Sequence, residues 1–150
     1  MKAAFRLGCV ERSGGGHGRA TGTLRFRYYA HVFEELRDGR NRSHWMWFVF
    51  PQIQGLGTSA MAQRFATSSL AEAEAYLHHP ILGQRLRGAT RLVNRVKDRS
   101  IEEIFGFPHD LKFRSSLTLF ARATSDNEIF REALRKYCDG DVDPRTLQQL

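Results

Sequence analysis

Apolar residues recur along this chain at the spacing of helices and almost nowhere with the alternation of strands. Tyr29, Val32, Phe33 and Leu36 step by three and four, one buried face of a helix over residues 28–38, and Gly39 suits the left-handed stop behind it. Leu82, Leu86, Ala89, Val93 and Val96 trace a second stripe, opened by Pro80 at the one position where a proline forfeits no hydrogen bond. Phe113, Leu117 and Phe120 mark a helix over 111–123 with Asp110 as its cap. Ile129, Phe130, Ala133, Leu134 and Tyr137 mark another, closed by Gly140. The polar punctuation agrees. The segments starting at Ser69, Ser100 and Ser125 each carry a Glu three residues on and read as capping boxes, in which the hydroxyl accepts from the third helical amide and the carboxylate accepts from the amide of the serine itself. Gly106 suits a stop after the second box, and Asp143-Pro144 starts a terminal helix through Leu147 and Leu150.

The densest apolar stretch is Trp45-Met46-Trp47-Phe48-Val49-Phe50-Pro51, which no surface holds without a large exposed apolar patch. A short helix over residues 44–50 is expected, capped by Ser43 and ended by Pro51. A strand is rejected because no other segment reads as its partner. Residues 52–57 read as loop, and Thr58 or Ser59 starts a short turn carrying Met61 and Phe65. The expected fold is all-α: a single compact domain of about seven helices over residues 23–150. Residues 1–22, with the period-free run Ser13-Gly14-Gly15-Gly16-His17-Gly18, read as a flexible basic arm, with an altered start of the reading frame as the other reading.

Composition narrows the class. The chain has 150 residues, 41% hydrophobic and 26% charged, ordinary for one domain with a real core. It has no run of about 18 apolar residues that would span a membrane and no apolar core of a secretory signal near its N-terminus. Its two cysteines, Cys9 and Cys138, build neither a disulfide scaffold nor a zinc site, so a reducing, cytoplasmic setting is expected. The formal charge of +7 suggests nucleic acid, but six basic residues against Glu11 put +5 in residues 1–27 and leave +2 for the other 123. Nucleic-acid binding is therefore expected only non-specifically, through the arm.

Two segments combine aromatic bulk with polar groups that a core alone does not need. In the first, Ser43, His44 and Gln52 flank the tryptophans, and Trp45 could stack on a flat ligand. In the second, Asp110 precedes Lys112, Ser115 and Ser116, which lie at i, i+3 and i+4 on one helix face. A helix start with free amides, a lysine and hydroxyls is a physically sound anion site, though Asp110 as a simple cap and the serines as small packing residues explain the pattern equally well. His44 is the candidate proton carrier and Asp110 its partner, the two catalytic candidates. The order Lys-x-x-Ser and the lack of an oxyanion hole argue against a Ser-Lys nucleophile. His78 and His79 diverge by about 100° on a helix, so no metal site is expected there or elsewhere. Gly55-Leu56-Gly57 lacks the strand and further glycine of a dinucleotide fingerprint.

The runs Ser43-His44-Trp45-Met46-Trp47-Phe48-Val49-Phe50-Pro51-Gln52 and Asp110-Leu111-Lys112-Phe113-Arg114-Ser115-Ser116-Leu117-Thr118-Leu119-Phe120 closely resemble a bacterial family catalogued as domain of unknown function 1810 and sometimes mislabelled calpastatin. Gly55-Leu56-Gly57, Met61-Ala62-Gln63 and Tyr76-Leu77-x-His79-Pro80-x-Leu82-Gly83 fit the same pattern. The resemblance covers roughly residues 28–150 and implies a small, cytoplasmic, all-helical protein. Residues 1–22 do not match the amphipathic first helix of the family, and the resemblance carries no established activity.

The reading that follows is a small cytoplasmic protein that binds or processes an anionic, phosphorylated or nucleotide-like small molecule, with no cofactor and no membrane partner. Whether it catalyses a reaction, and in what oligomeric state it works, stay open. The alternative is a non-enzymatic protein-interaction or scaffold domain. Convergence of His44, Gln52, Asp110 and Lys112 on one place would favour the ligand site.

Overall fold

In the computed structural model, which describes residues 29–150, the apolar stripes become helices: α1 (29–37), α2 (Met46–Val49), α3 (Ala60–Phe65), α4 (Leu70–His78), α5 (Leu82–Arg95), α6 (Ile101–Phe105), α7 (His109–Ala123), α8 (Glu128–Cys138) and α9 (Pro144–Gln148). Among the described residues there is no strand, only one parallel bridge between Ile53 and Thr67. No helix there is long and apolar enough to cross a membrane. The expectations for residues 1–22 lie outside the described residues.

Helix α7 is the axis of the domain. It packs against α8, α4, α9, α6 and α2, which is why Phe113, Ser115, Ser116, Leu117, Thr118, Leu119 and Phe120 are all buried and one apolar stripe does not suffice. The small polar residues let neighbouring helices approach closely. Around the first turns of α7 lies an aromatic core from three elements. Phe113 meets Phe50 and Phe105 with ring centroids 4.9 Å apart in each pair, and Trp45 lies edge-on to Phe105 at 6.2 Å. The run 45–51 thus folds inward as its composition demands, through a single helical turn at Met46–Val49.

Several caps stand where the sequence puts them. Ser59 accepts from Ala62 N, Ser100 and Glu103 form the full capping box, Gly106 stops α6 at φ +76°, and Asp143 caps α9 ahead of Pro144. Others differ for local reasons. Ser69 accepts from Glu72 N, but the Glu72 carboxylate reaches back to Ser68. Ser125 caps nothing. Helix α8 starts two residues later behind Asn127, whose amide donates to Ala121 O, and Glu128 pairs instead with Arg135. Asp110 is not a cap either, because α7 begins at His109 behind a cis Phe107–Pro108 bond. At α8's end Asp139 takes the left-handed conformation just before Gly140.

The His79-Pro80-x-Leu82-Gly83 segment shows why its residue types matter. Nδ1 of His79 accepts from Ile81 N (3.2 Å) and Leu82 N (3.1 Å), so the imidazole does the work of an N-cap. Four residues on, a Cβ on Gly83 would lie 2.1 Å from the Leu77 carbonyl oxygen, so only glycine lets α5 start against the end of α4. Gly88, on the same helix, has room: its nearest neighbour would be Phe33 at 3.8 Å. Gly83→Ala should therefore destabilise by about 1–3 kcal/mol or more, while Gly88→Ala should be neutral or stabilise by up to about 1 kcal/mol. Urea unfolding of the two variants checks the contrast, and equal effects would contradict it.

Candidate functional site

The site begins with a residue the sequence reading passed over. Glu35 falls among the apolar positions of α1, beside Val32 and Leu36, and its side chain points into the domain with 1% of its surface exposed. A lone buried carboxylate is costly unless donors surround it. They do. Oε2 accepts from Arg42 N (2.9 Å), Ser43 N (3.2 Å) and Trp45 Nε1 (2.8 Å), and Oε1 accepts from Ser43 Oγ (2.5 Å) and stands 3.1 Å from His31 Nε2. Burial pushes the Glu35 pKa up, but the Ser43 hydroxyl, the Arg42 amide, the Trp45 indole and the Ser43 amide outweigh it and hold the carboxyl below its ordinary value.

Ser43, His31 and Glu35 are in mutual contact, yet the geometry is not that of an activated nucleophile. In such a site the imidazole stands between hydroxyl and carboxylate and takes the hydroxyl proton. Here Ser43 gives its proton directly to Glu35, and a single nitrogen, His31 Nε2, faces both partners, 3.3 Å from Ser43 Oγ. Ser43 therefore fastens the loop to α1 and does not cap α2, whose first residue follows Trp45. Trp45 is fully buried, its indole N–H spent on Glu35, so it forms core and cannot stack on a ligand. Between these two anchored residues His44 is exposed.

The charge of His44 is felt at the start of α7. The His109 pKa is lowered by burial first and then by the positive charges of Lys112 and His44, with Asp110 opposing them. His44 thus acts electrostatically on His109, although it lies 65 residues before it in the chain. Oδ1 of Asp110 is buried there with no hydrogen-bond partner among the described residues. Phe107, 74% exposed, and Leu111, 50% exposed, stand as apolar side chains beside the cluster in sequence. The backbone amides contribute less than the sequence reading expects. Asp110 N donates to Gly106 O, and Leu111 N and Lys112 N both donate to Pro108 O, so an anion here would be held by side chains and not by a ring of free amides.

The remaining candidates lie elsewhere. Ser115 turns toward α9, its hydroxyl shared between Asp143 Oδ2 (2.5 Å) and the Leu111 carbonyl (3.0 Å). Asp143 also accepts from Thr146 Oγ1 and Arg145 N; burial raises its pKa, and these donors with nearby Arg114 bring it below its ordinary value. Ser115 is thus a structural partner of a buried cap. Ser116 is fully buried one turn beyond Lys112, its Oγ without a partner among the described residues. Gln52 is half-buried at the Ile53–Thr67 bridge, where its carbonyl accepts from Thr67 N, and no hydrogen bond among the described residues ties its side chain to the cluster. No group of three metal-ligating side chains occurs among the described residues. His109 was missed because it follows a proline in what reads as a connector. The signal that could have found it is its place one turn before Lys112 on the same helix face.

A small all-helical domain built on one central helix, with a polar cluster where an aromatic loop meets that helix, is the class these observations define. The chain belongs to the DUF1810 family, described as protein of unknown function, whose pattern matches residues 22–150. It is similar to the conserved hypothetical protein Rv1873 from Mycobacterium tuberculosis, whose crystal structure shares 57% sequence identity with it at a TM-score of 0.81, over 85% of this chain and 94% of that one. No curated protein matches it.

If Lys112 helps to keep His109 neutral, Lys112→Ala should move the His109 imidazole titration to higher pH. Proton NMR of the ring Cε1–H measures this directly. The sign in stability follows: a depressed histidine pKa contributes stability at pH above its unfolded value that is lost as pH falls through the folded value, and the variant should lose less over that window. An unmoved midpoint would separate Lys112 from His109.

Proposed function

We propose that this chain binds a small anionic molecule, of phosphorylated or nucleotide-like chemistry, at the start of α7. The observation that carries the reading is the buried Asp110 oxygen left without a partner among the described residues, on the helix turn that also bears Lys112 and His109; the charges of Lys112 and His44 acting on His109 support it. Lys112 supplies an ammonium, and His44 and His109 supply imidazole nitrogens that can donate. Exposed Phe107 offers a ring to cover a flat moiety. The unpartnered Asp110 oxygen would accept from a hydroxyl or amine of the same ligand. If the bound molecule is also processed, His109 is available there as a neutral imidazole, because its surroundings disfavour its charged form, with His44 and Asp110 as the proton carrier and partner that the sequence suggested. Exposed Phe107 and Leu111 also favour a second reading, the docking of a protein partner on this end of α7.

A thermal-shift panel of nucleotides, sugar phosphates and ADP-ribose compounds separates the two. The first reading expects one ligand class to raise the melting temperature saturably, by an amount equivalent to about 2.7 kcal/mol at a hundred times its Kd. Lys112→Ala should weaken that ligand by about 1–3 kcal/mol and leave the unliganded fold intact. Absence of stabilisation across the panel, or identical binding by the variant, would leave the docking reading in front.

A further inference from the structure

A second place in the fold concentrates positive charge with only a partial local counterweight, far along α7 from the cluster at its start. The groove between α7 and α8 has a volume of about 440 Å³. Thr118, Ala121 and Leu134 line it, and three guanidiniums border it: Arg122 from α7, and Arg131 and Arg135 from α8. No carboxylate is among its lining residues. Arg131 and Arg135 stand at i and i+4, a like-charge spacing that weakens a helix unless something outside the helix compensates. Glu128, at the start of α8, answers part of this: it pairs with Arg135 and feels Arg131, and its pKa is lowered mainly by the Arg135 contact. Arg122 and Arg131 make no ion pair among the described residues. The rim is fixed as well, because Arg114 donates to Asp141 O (3.0 Å) and Val142 O (2.7 Å) and so fastens the loop after α8 to α7.

The groove on the other side of α8 is the internal control. It has a similar volume, about 470 Å³, and also three arginines, Arg87, Arg91 and Arg95. There Asp126, Glu128 and Glu132 line the same walls, and Arg87 is engaged with the Asp126 carbonyl and the Phe130 ring. That groove carries as many carboxylates as arginines on its walls, whereas the α7–α8 groove carries none on its walls and is answered only through the Glu128–Arg135 pair.

We infer that the α7–α8 groove is a separate binding site for a small polyanion, a molecule carrying at least two negatively charged oxygens within reach of Arg122, Arg131 and Arg135. The planar fork of each guanidinium matches the paired oxygens of a phosphoryl group or a carboxylate. The volume suits a small molecule. The partly apolar floor from Ala121 and Leu134 suits one with a carbon skeleton. This site shares no lining residue with the cluster at the start of α7, so the two stand or fall separately.

The test titrates the ¹⁵N-labelled full chain at constant ionic strength with pyrophosphate in one arm and citrate in the other, following the arginine Nε–H signals. Saturable shifts confined to Arg122, Arg131 and Arg135 are expected. A response to pyrophosphate alone assigns phosphoryl chemistry, and one to citrate alone assigns carboxylate chemistry. Arg131→Gln and Arg122→Gln, both substitutions of surface side chains, should each weaken binding about tenfold or more, the loss of one charge-assisted contact. Lys112→Ala should leave this binding unchanged even where it abolishes binding at the other cluster. Shifts spread evenly over all arginines, or affinity unaltered in both glutamine variants, would overturn the inference.

Discussion

The carboxylate of Glu35 is the constraint on which the rest of this end of the molecule depends. It is buried, and it stays charged by collecting two backbone amides, a hydroxyl and an indole N–H, with an imidazole alongside. Every one of the amide, hydroxyl and indole donors comes from residues 42–45, so satisfying one charge fixes the path of a whole loop. The loop's path places Trp45 edge-on to Phe105 in the aromatic core and leaves His44 exposed between two held residues. Removal of the carboxylate would strand several buried donors at once, each costing about 1–3 kcal/mol unsatisfied.

Asp143 repeats the device at the other side of α7. It too is buried, and it too is answered by hydroxyls and an amide, from Ser115, Thr146 and Arg145. In both places an interior carboxylate is satisfied mainly by neutral hydroxyl, amide or indole donors, with Arg114 adding its charge near Asp143. Short, directional hydroxyl and amide contacts fit a closely packed interior where a long cationic side chain would need desolvating as well. The arginines are thereby free to line the two grooves that flank α8.

The helices were legible from sequence because their buried faces obey one period, and because Ser59, Ser100, Gly106 and Asp143 act locally. Where an expectation failed, a distant partner decided. Ser43 looked like a cap but is claimed by Glu35, eight residues back. Ser125 does not cap because α8 starts behind Asn127, whose side chain is held by the Ala121 carbonyl in the last turn of α7. Of the candidate site, His44, Asp110 and Lys112 were legible as chemistry-bearing residues beside aromatic bulk. Glu35 was not, since a glutamate on an amphipathic helix reads as solvated until the fold shows which way it points. Ser115 and Trp45 were misjudged for the converse reason: side chains able to meet a ligand were already satisfied inside the protein.

The most direct test is the unfolding free energy of the native chain and of Glu35→Gln measured from pH 7 to pH 3. A carboxyl held below its ordinary pKa contributes stability above its unfolded pKa and loses it as pH falls through the folded value. The difference between the two proteins should therefore be largest near neutrality, about 1.5–3 kcal/mol for hydrogen bonds to a charged group, and should shrink steadily on the acid side. A difference that is negligible at pH 7, or constant across the whole range, would contradict the central role given to the Glu35 charge.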